Sequence, residues 1–236
     1  MANGTFRLLE RFKNTFFGTR YDHRNSSLGN IIGRELFEDL VSHSGSAAYV
    51  DHVQHGKTVV NRGGKIHTPR AIRRNDSILG RPPAGFTLAP PPPGCSVFEG
   101  PVAEPRVGCE LKILAKSQLK QIGRVISDLE RFADRMKSLN QRCINVAVVG
   151  VNYESDYVGW EGDRPYRHKL TANEPEIVSA RLSGALLDRY DELLILRFRA
   201  TNQSEYPFSW VHPKEVDLDY GAALTRIGEL YQNRFG

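Results

Sequence analysis

Arg106-Val107-Gly108-Cys109-Glu110-Leu111-Lys112-Ile113-Leu114-Ala115-Lys116 is the stretch on which the reading of this chain turns. It reads as a strand running into a long helix. In an extended segment successive side chains point to opposite faces, which sets Glu110 and Lys112 on one face and Cys109, Leu111 and Ile113 on the other. Two charges in the middle of an apolar strand are costly to bury, because each ion must be paired or hydrated. The pair is therefore a candidate site.

Downstream, Ser117 is placed to cap a helix that runs to about Leu139. Leu119, Ile122, Val125, Ile126, Leu129, Phe132, Ala133, Met136 and Leu139 recur at three- and four-residue intervals, the strongest periodic signal in the chain. The near-continuous apolar run Ile144 to Val151 predicts a strand buried on both faces. A helix between two such strands implies a crossover and a mixed or parallel sheet. The spacing then predicts a long loop over Asn152 to Asn173, a helix from about Glu174 to Tyr190, a strand from Leu193 to Arg199 and a closing helix within Leu218 to Phe235. The loop mixes Tyr153, Tyr157, Trp160 and Tyr166 with Arg164, Arg167, His168 and Lys169. That composition suits contact with bases and phosphates, and equally a loop pinned to the surface.

Upstream, Thr5 to Phe17 is a basic amphipathic segment that predicts a docked helix. A polar stretch, Gly18 to Ser27, leads to a helix from about Leu28 to Ser42. Glu35, Glu38 and Asp39 interrupt its apolar pattern; a solvated face is the expectation for Glu35 and Asp39, less clearly for Glu38. Ala48-Tyr49-Val50 and Lys57-Thr58-Val59-Val60 read as short strands. His52 and His55 beside Asp51 do not make a zinc motif, since no third and fourth ligands follow at a fitting spacing. The proline-rich Gly80 to Gly94 predicts a stiff surface connection. Ser96 to Phe98 and Val102 to Ala103 suggest a strand interrupted at Gly100-Pro101, with Glu99 and Glu104 at hand. This segment and the strand around Glu110 are either two antiparallel strands joined by a Glu-Pro-Arg turn or one bent strand.

The 236 residues suit one domain, with a core over about 28–151 and an extension of sheet and helices over 152–236. A net charge of +5 and a pI near 9.1 are mild, yet Arg62, Lys65, His67, Arg70, Arg73 and Arg74 crowd one stretch without an acid. Such a segment faces phosphates or is a solvated basic loop. No apolar run approaches the roughly 20 residues needed to cross a bilayer, and the amino terminus has no signal-peptide pattern, so a cytoplasmic place is expected. Cys95, Cys109 and Cys143 are too few and scattered for a disulfide framework, and buried thiols are expected in the strands. Neither a phosphate-binding G-x-x-x-x-G-K-[ST] loop nor a dinucleotide-binding glycine pattern occurs.

The order of helix, short strands, strand with Glu-x-Lys, long helix and buried strand resembles the PD-(D/E)xK nuclease superfamily, which includes many type II restriction endonucleases. The resemblance spans roughly Ile31 to Val151. Gly33 to Glu38 is similar to that family's first-helix pattern, and Glu110-Leu111-Lys112 matches its (D/E)xK element. No Pro-Asp dipeptide precedes it, which leaves Glu104 or Glu99 as the second acid, with Asp76 or Asp51 more remote. The resemblance implies an α/β fold with an α-β-β-β-α-β core and a mixed central sheet flanked by helices. It further implies magnesium held by Glu110, by Glu104 or Glu99 and by the carbonyl of Leu111, with Lys112 neutralising charge and positioning water. Glu38 and Gln121 would be supporting groups, and Arg62, Lys65, Arg70, Arg73, Arg74, Lys116 and Lys120 would contact DNA. The implied activity is hydrolysis of DNA phosphodiesters in a restriction system, by a homodimer if both strands are cut. The alternative is a nucleic-acid-binding or interaction protein that keeps the fold without a complete metal site.

Overall fold

A seven-stranded mixed sheet carries the molecule. The computed structural model describes residues 5–22, 28–61 and 77–236. Over these the chain forms helices α1 (Arg7–Asn14), α2 (Leu28–His43) and α3 (Ala47–Gln54), then strands β1 (Val59–Asn61), β2 (Ser77–Arg81), β3 (Phe98–Glu99) and β4 (Glu104–Leu114). Helix α4 (Gln118–Leu139) leads to β5 (Ile144–Asn152) and to the hairpin of β6 (Asp156–Glu161) and β7 (Arg164–Lys169). Helix α5 (Glu174–Leu186), strands β8 (Glu192–Ala200) and β9 (Phe208–Trp210) and helix α6 (Pro213–Phe235) complete it.

The sheet order is β3-β1-β2-β4-β5-β8-β9, and the hairpin forms a sheet of its own. Strands β1, β2 and β4 are antiparallel neighbours, whereas β4, β5 and β8 run parallel. Helix α4 makes the first parallel crossover, as its position between two apolar strands predicts. Side chains of β5 divide strictly by parity. Val146 and Val148 join a core with α1, α2 and α6, while Ala147, Val149 and Val151 join one with α4 and α5. Both faces are covered, so all nine residues of β5 are buried. Among the described residues no helix is long and apolar enough to cross a membrane.

Several expectations are corrected. Ala48 to Val50 lies in α3 rather than in a strand, because Ser46 caps that helix by accepting the Tyr49 N–H (3.2 Å) and Tyr49 and Val53 bury one helical face. The stretch from Asn152 to Asn173 is largely a hairpin rather than a loop. Its strands are too polar for a core pattern, but Gly162-Asp163 makes the two-residue turn, with Gly162 at φ +61°. No turn breaks the chain at Glu104 to Arg106; β4 is one strand, bulged where it passes Leu79 and Gly80. Ser117 precedes α4 without a side-chain capping bond. Glu35, Glu38 and Asp39 are not a solvated face: every residue of α2 from Ile32 to Leu40 is buried.

Those three acids hold other elements in place. Asp39 accepts the N–H groups of Arg7 (2.8 Å) and Leu8 (3.0 Å), capping α1 from a distance, and also accepts the hydroxyl of Tyr220 in α6 (2.8 Å). Glu35 pairs with Arg7 (2.8 Å) and Arg11 (3.3 Å) of α1. Glu38 accepts the N–H groups of Ser96 (2.9 Å) and Val97 (3.2 Å), fixing the chain that enters β3.

Candidate functional site

Strand β4 lies between antiparallel β2 and parallel β5, at the centre of the sheet. Its odd positions, Val107, Cys109 and Leu111, pack in the core beneath α2 and α6, and Leu114 packs in the core beneath α4. Gly108, two residues before Glu110, lies against Phe132 and Met136 of α4. Alternation therefore carries Glu110 and Lys112 to the α4 face. Glu110 is only 5% exposed, and its Oε1 receives Lys112 Nζ at 2.5 Å. The Lys112 side chain keeps 28% of its surface in solvent. On β5 the register partners are Ala147 beside Glu110 and Val149 beside Lys112, so the β5 flank of the pair is apolar.

A carboxylate in such a place, with the adjacent Leu111 carbonyl, offers hard oxygen donors of the kind that suit magnesium. Among the described residues no group of three or more His, Cys, Asp or Glu side chains could hold a metal ion. Neither expected second acid joins Glu110. Glu104 lies six residues back on the same strand, about 20 Å away at the rise of an extended chain. There it pairs with Arg81 (2.8 Å) and accepts from Asn140 (3.4 Å). Glu99 lies on β3, with β1 and β2 between it and β4, and it pairs with Arg34. Glu38, expected beneath the site, serves the opposite face. Asp51 lies on α3, paired with Lys57 at 2.6 Å. The two-acid site of Glu110 with Glu104 or Glu99 is not assembled.

Other site residues fall near the C-terminal end of β4. Gln121 donates from Nε2 to the carbonyl of Lys116 (2.9 Å), fixing the entrance to α4. Lys116 lies against Gly159 of β6, Ser117 Oγ is 3.4 Å from His168 Nδ1 of β7, and Lys120 is exposed on α4. The hairpin was not an expected neighbour of this helix end. Arg62, Lys65, Arg70, Arg73, Arg74 and Asp76 lie outside the described residues.

Strand β2 was also missed, and it meets β4 at the site. Ser77 is registered on Cys109, directly before Glu110. Helix α2 closes over this junction: a side chain at Gly33 would run into Ser77 Oγ at 2.5 Å, which accounts for the glycine in the helix pattern. Burial, reinforced by Glu110, holds the Cys109 thiol well above the ordinary range for cysteine, and burial pushes Cys143 up to about 12. Both are structural thiols in character, poor as nucleophiles. Of the histidines, His52 Nδ1 faces Arg106 (2.8 Å) and Tyr231 (3.1 Å), and burial with the Arg106 charge lowers its pKa. Known protein families and curated proteins were compared with the chain, and none matches it.

Proposed function

We propose that this chain hydrolyses DNA phosphodiester bonds with a divalent cation, as a nuclease of restriction-endonuclease type, and that β4 carries the chemistry. The buried Glu110–Lys112 pair carries this reading. An ion pair in a sheet centre is weak support for stability, and a buried charge beside a partly solvated one is common where charge is handled. With the short helix α3 and the two-residue edge strand β3 set aside, the order α2, β1, β2, β4, α4, β5, with three antiparallel strands and a parallel crossover, supports an α-β-β-β-α-β core.

Glu110 and the Leu111 carbonyl would hold the cation. When bound, magnesium supplies positive charge that polarises the scissile phosphate and makes a bound water more acidic. Lys112 offsets negative charge as it grows on the phosphate and orients the attacking water. The more remote acid Asp76, named from the sequence, is carried into the test as a candidate second acid; it lies outside the described residues. Lys116 and Lys120, together with the basic segment from Arg62 to Arg74, would meet DNA phosphates.

The test is incubation of the purified chain with plasmid and phage DNA, in magnesium or in EDTA, beside Glu110→Gln, Lys112→Ala, Asp76→Asn and Glu104→Ala. Magnesium-dependent cleavage that is lost in the first three variants and kept in Glu104→Ala is the expected result. Cleavage that persists in Glu110→Gln removes β4 from the mechanism. A second reading draws on the separation of Glu104 and Glu99 from Glu110: a nucleic-acid-binding protein with a degenerate site. Binding without cleavage on every substrate would favour it.

A further inference from the structure

Arg106, near the start of β4, is a cation that forms no ion pair among the described residues. Its Nη1 instead meets His52 Nδ1 of α3 (2.8 Å) and the Tyr231 hydroxyl of α6 (3.0 Å), and these two groups are themselves 3.1 Å apart. The guanidinium also lies over the Phe235 ring, 5.3 Å from its centroid. A guanidinium carries donors and no acceptor, so at this distance Nδ1 offers its lone pair. The His52 ring is thereby neutral, with its proton on Nε2. A proton on Nδ1 would set N–H against N–H and place a second positive charge beside the first. The surroundings reinforce this choice: burial, then the charges of Arg106 and of Lys57 in the turn after α3, hold the imidazole below its ordinary value of 6.5. Asp51 pulls the other way, but its carboxylate is engaged by Lys57 (2.6 Å) and lies 3.0 Å from His55 Nδ1. On α6 the titratable neighbour is Tyr231, which burial keeps a neutral phenol. Arg142 reaches only the far end of the group, over the Phe235 ring at 5.2 Å.

The two ends of α3 are held by different chemistry. At its start the Tyr49 N–H donates to Ser46, the Ala48 N–H donates to Gln232 of α6 (2.9 Å), and the Tyr49 hydroxyl donates to the Phe37 carbonyl of α2 (2.9 Å). None of these bonds uses a group that titrates near neutrality. At its end the imidazole ties α3 to β4 and α6, and the His52 carbonyl accepts the N–H groups of Lys57 (2.8 Å) and Thr58 (3.2 Å), which form the turn into β1. We propose that His52 is a pH-operated latch: protonation of its ring frees the carboxyl end of α3 and the turn into β1 from β4 and α6, while the amino end of α3 stays docked. Arg106 keeps Tyr231 and Phe235, so β4 and α6 remain joined. The sign follows from linkage. Folding favours the neutral ring, so the contact contributes fully above the unfolded value and is lost as pH falls through the lower folded value. This inference stands apart from the nuclease reading.

Hydrogen–deuterium exchange of the full chain, read by segment and corrected for the intrinsic rate, tests it between about pH 7.5 and about pH 5. Protection over residues 53–58 is expected to fall about tenfold or more on acidification, while that over residues 48–50 and in β5 holds. His52→Gln, neutral at every pH, should abolish the change, and His55→Gln on the same helix should keep it. Arg106→Met removes the opposing charge and should move the midpoint upward, a shift that a merely structural arginine would not produce. Circular dichroism at neutral pH checks that each variant is folded. Should His52→Gln not fold, the ring proton resonances of His52 in wild type and in Arg106→Met give the two midpoints directly. An unchanged exchange pattern in wild type overturns the proposal, as does a change that survives in His52→Gln or is lost in His55→Gln. Loss of protection that spreads evenly into β5, or a midpoint that Arg106→Met leaves in place, overturns it as well.

Discussion

Two sets of buried charge lie on opposite faces of the same sheet and differ in what they join. On α2 each acid grips a distant part of the chain: Asp39 holds α1 and α6, Glu35 holds α1, and Glu38 holds the entry to β3. The Glu110–Lys112 pair instead joins two residues of one strand, two positions apart on its α4 face. Burying an acid is offset, on α2, by ordering several elements at once. On β4 the ion pair itself is weak support for stability, since burying it costs about as much as the pairing returns. The first set is architecture, and the proposed nuclease reading makes the second chemistry.

The largest expected effect sharpens this contrast. Glu110→Gln, which keeps shape and removes charge, should lower cleavage about a thousandfold, read from initial rates on supercoiled plasmid, while the unfolding midpoint stays near wild type. Asp39→Ala should do the reverse. It strands two N–H groups of α1 and the Tyr220 hydroxyl, and urea unfolding should register a loss of about 3 kcal/mol. A loss of cleavage in Asp39→Ala at a temperature where it remains folded would break the division. The paired replacement Glu110→Leu with Lys112→Met should be at least as stable as wild type, by up to about 1–4 kcal/mol, and inactive. If the double variant unfolds readily, the pair is architecture after all.

A smaller effect concerns pH. Burial raises the Asp39 carboxyl above its ordinary value of 3.8, against the opposing pull of the α1 N–H groups, the Tyr220 hydroxyl and His43. The folded chain thus binds this proton more readily than the unfolded chain. The resulting stability is fully present below the unfolded value and is lost as pH rises through the raised folded value. Denaturant titrations of wild type and Asp39→Asn across that window should show wild type losing ground to the variant as pH rises. A constant difference would show that the N–H donors balance burial, and wild type gaining on the variant would show that they outweigh it.

Much of the frame was legible in sequence. The α4 stripe from Ile122 to Met136 and the apolar run of β5 each bury against a continuous surface, so their periods are clean and the crossover follows from them. Alternation alone put Glu110 with Lys112 and apart from Cys109. Partnership across the chain was not legible. Glu35 and Asp39 look like solvent-facing acids until α1 is laid over them, because the groups that satisfy them are N–H donors and arginines some 24 to 32 positions away. Glu104 and Glu110 look close in sequence, yet extension separates them, while Ser77 and Cys109 look remote and are register partners. The hairpin escaped because β7 is largely exposed and β6 buries only Tyr157 to Gly159, too short a run for a core pattern; only its Gly-Asp turn marked it.

The cap on α1 also sets an order of events during synthesis. Arg7 and Leu8 leave the ribosome before their partners: the carboxylate that receives their N–H groups belongs to Asp39, and the hydroxyl that shares that carboxylate belongs to Tyr220. Short helices are marginal in water without such help. Of the described helices α1 precedes α6 and is finished only once α6 has emerged; until then Leu8, Leu9 and Phe12 have no completed core to enter. A nascent chain halted before α6 should expose this apolar face, and there a chaperone would find it.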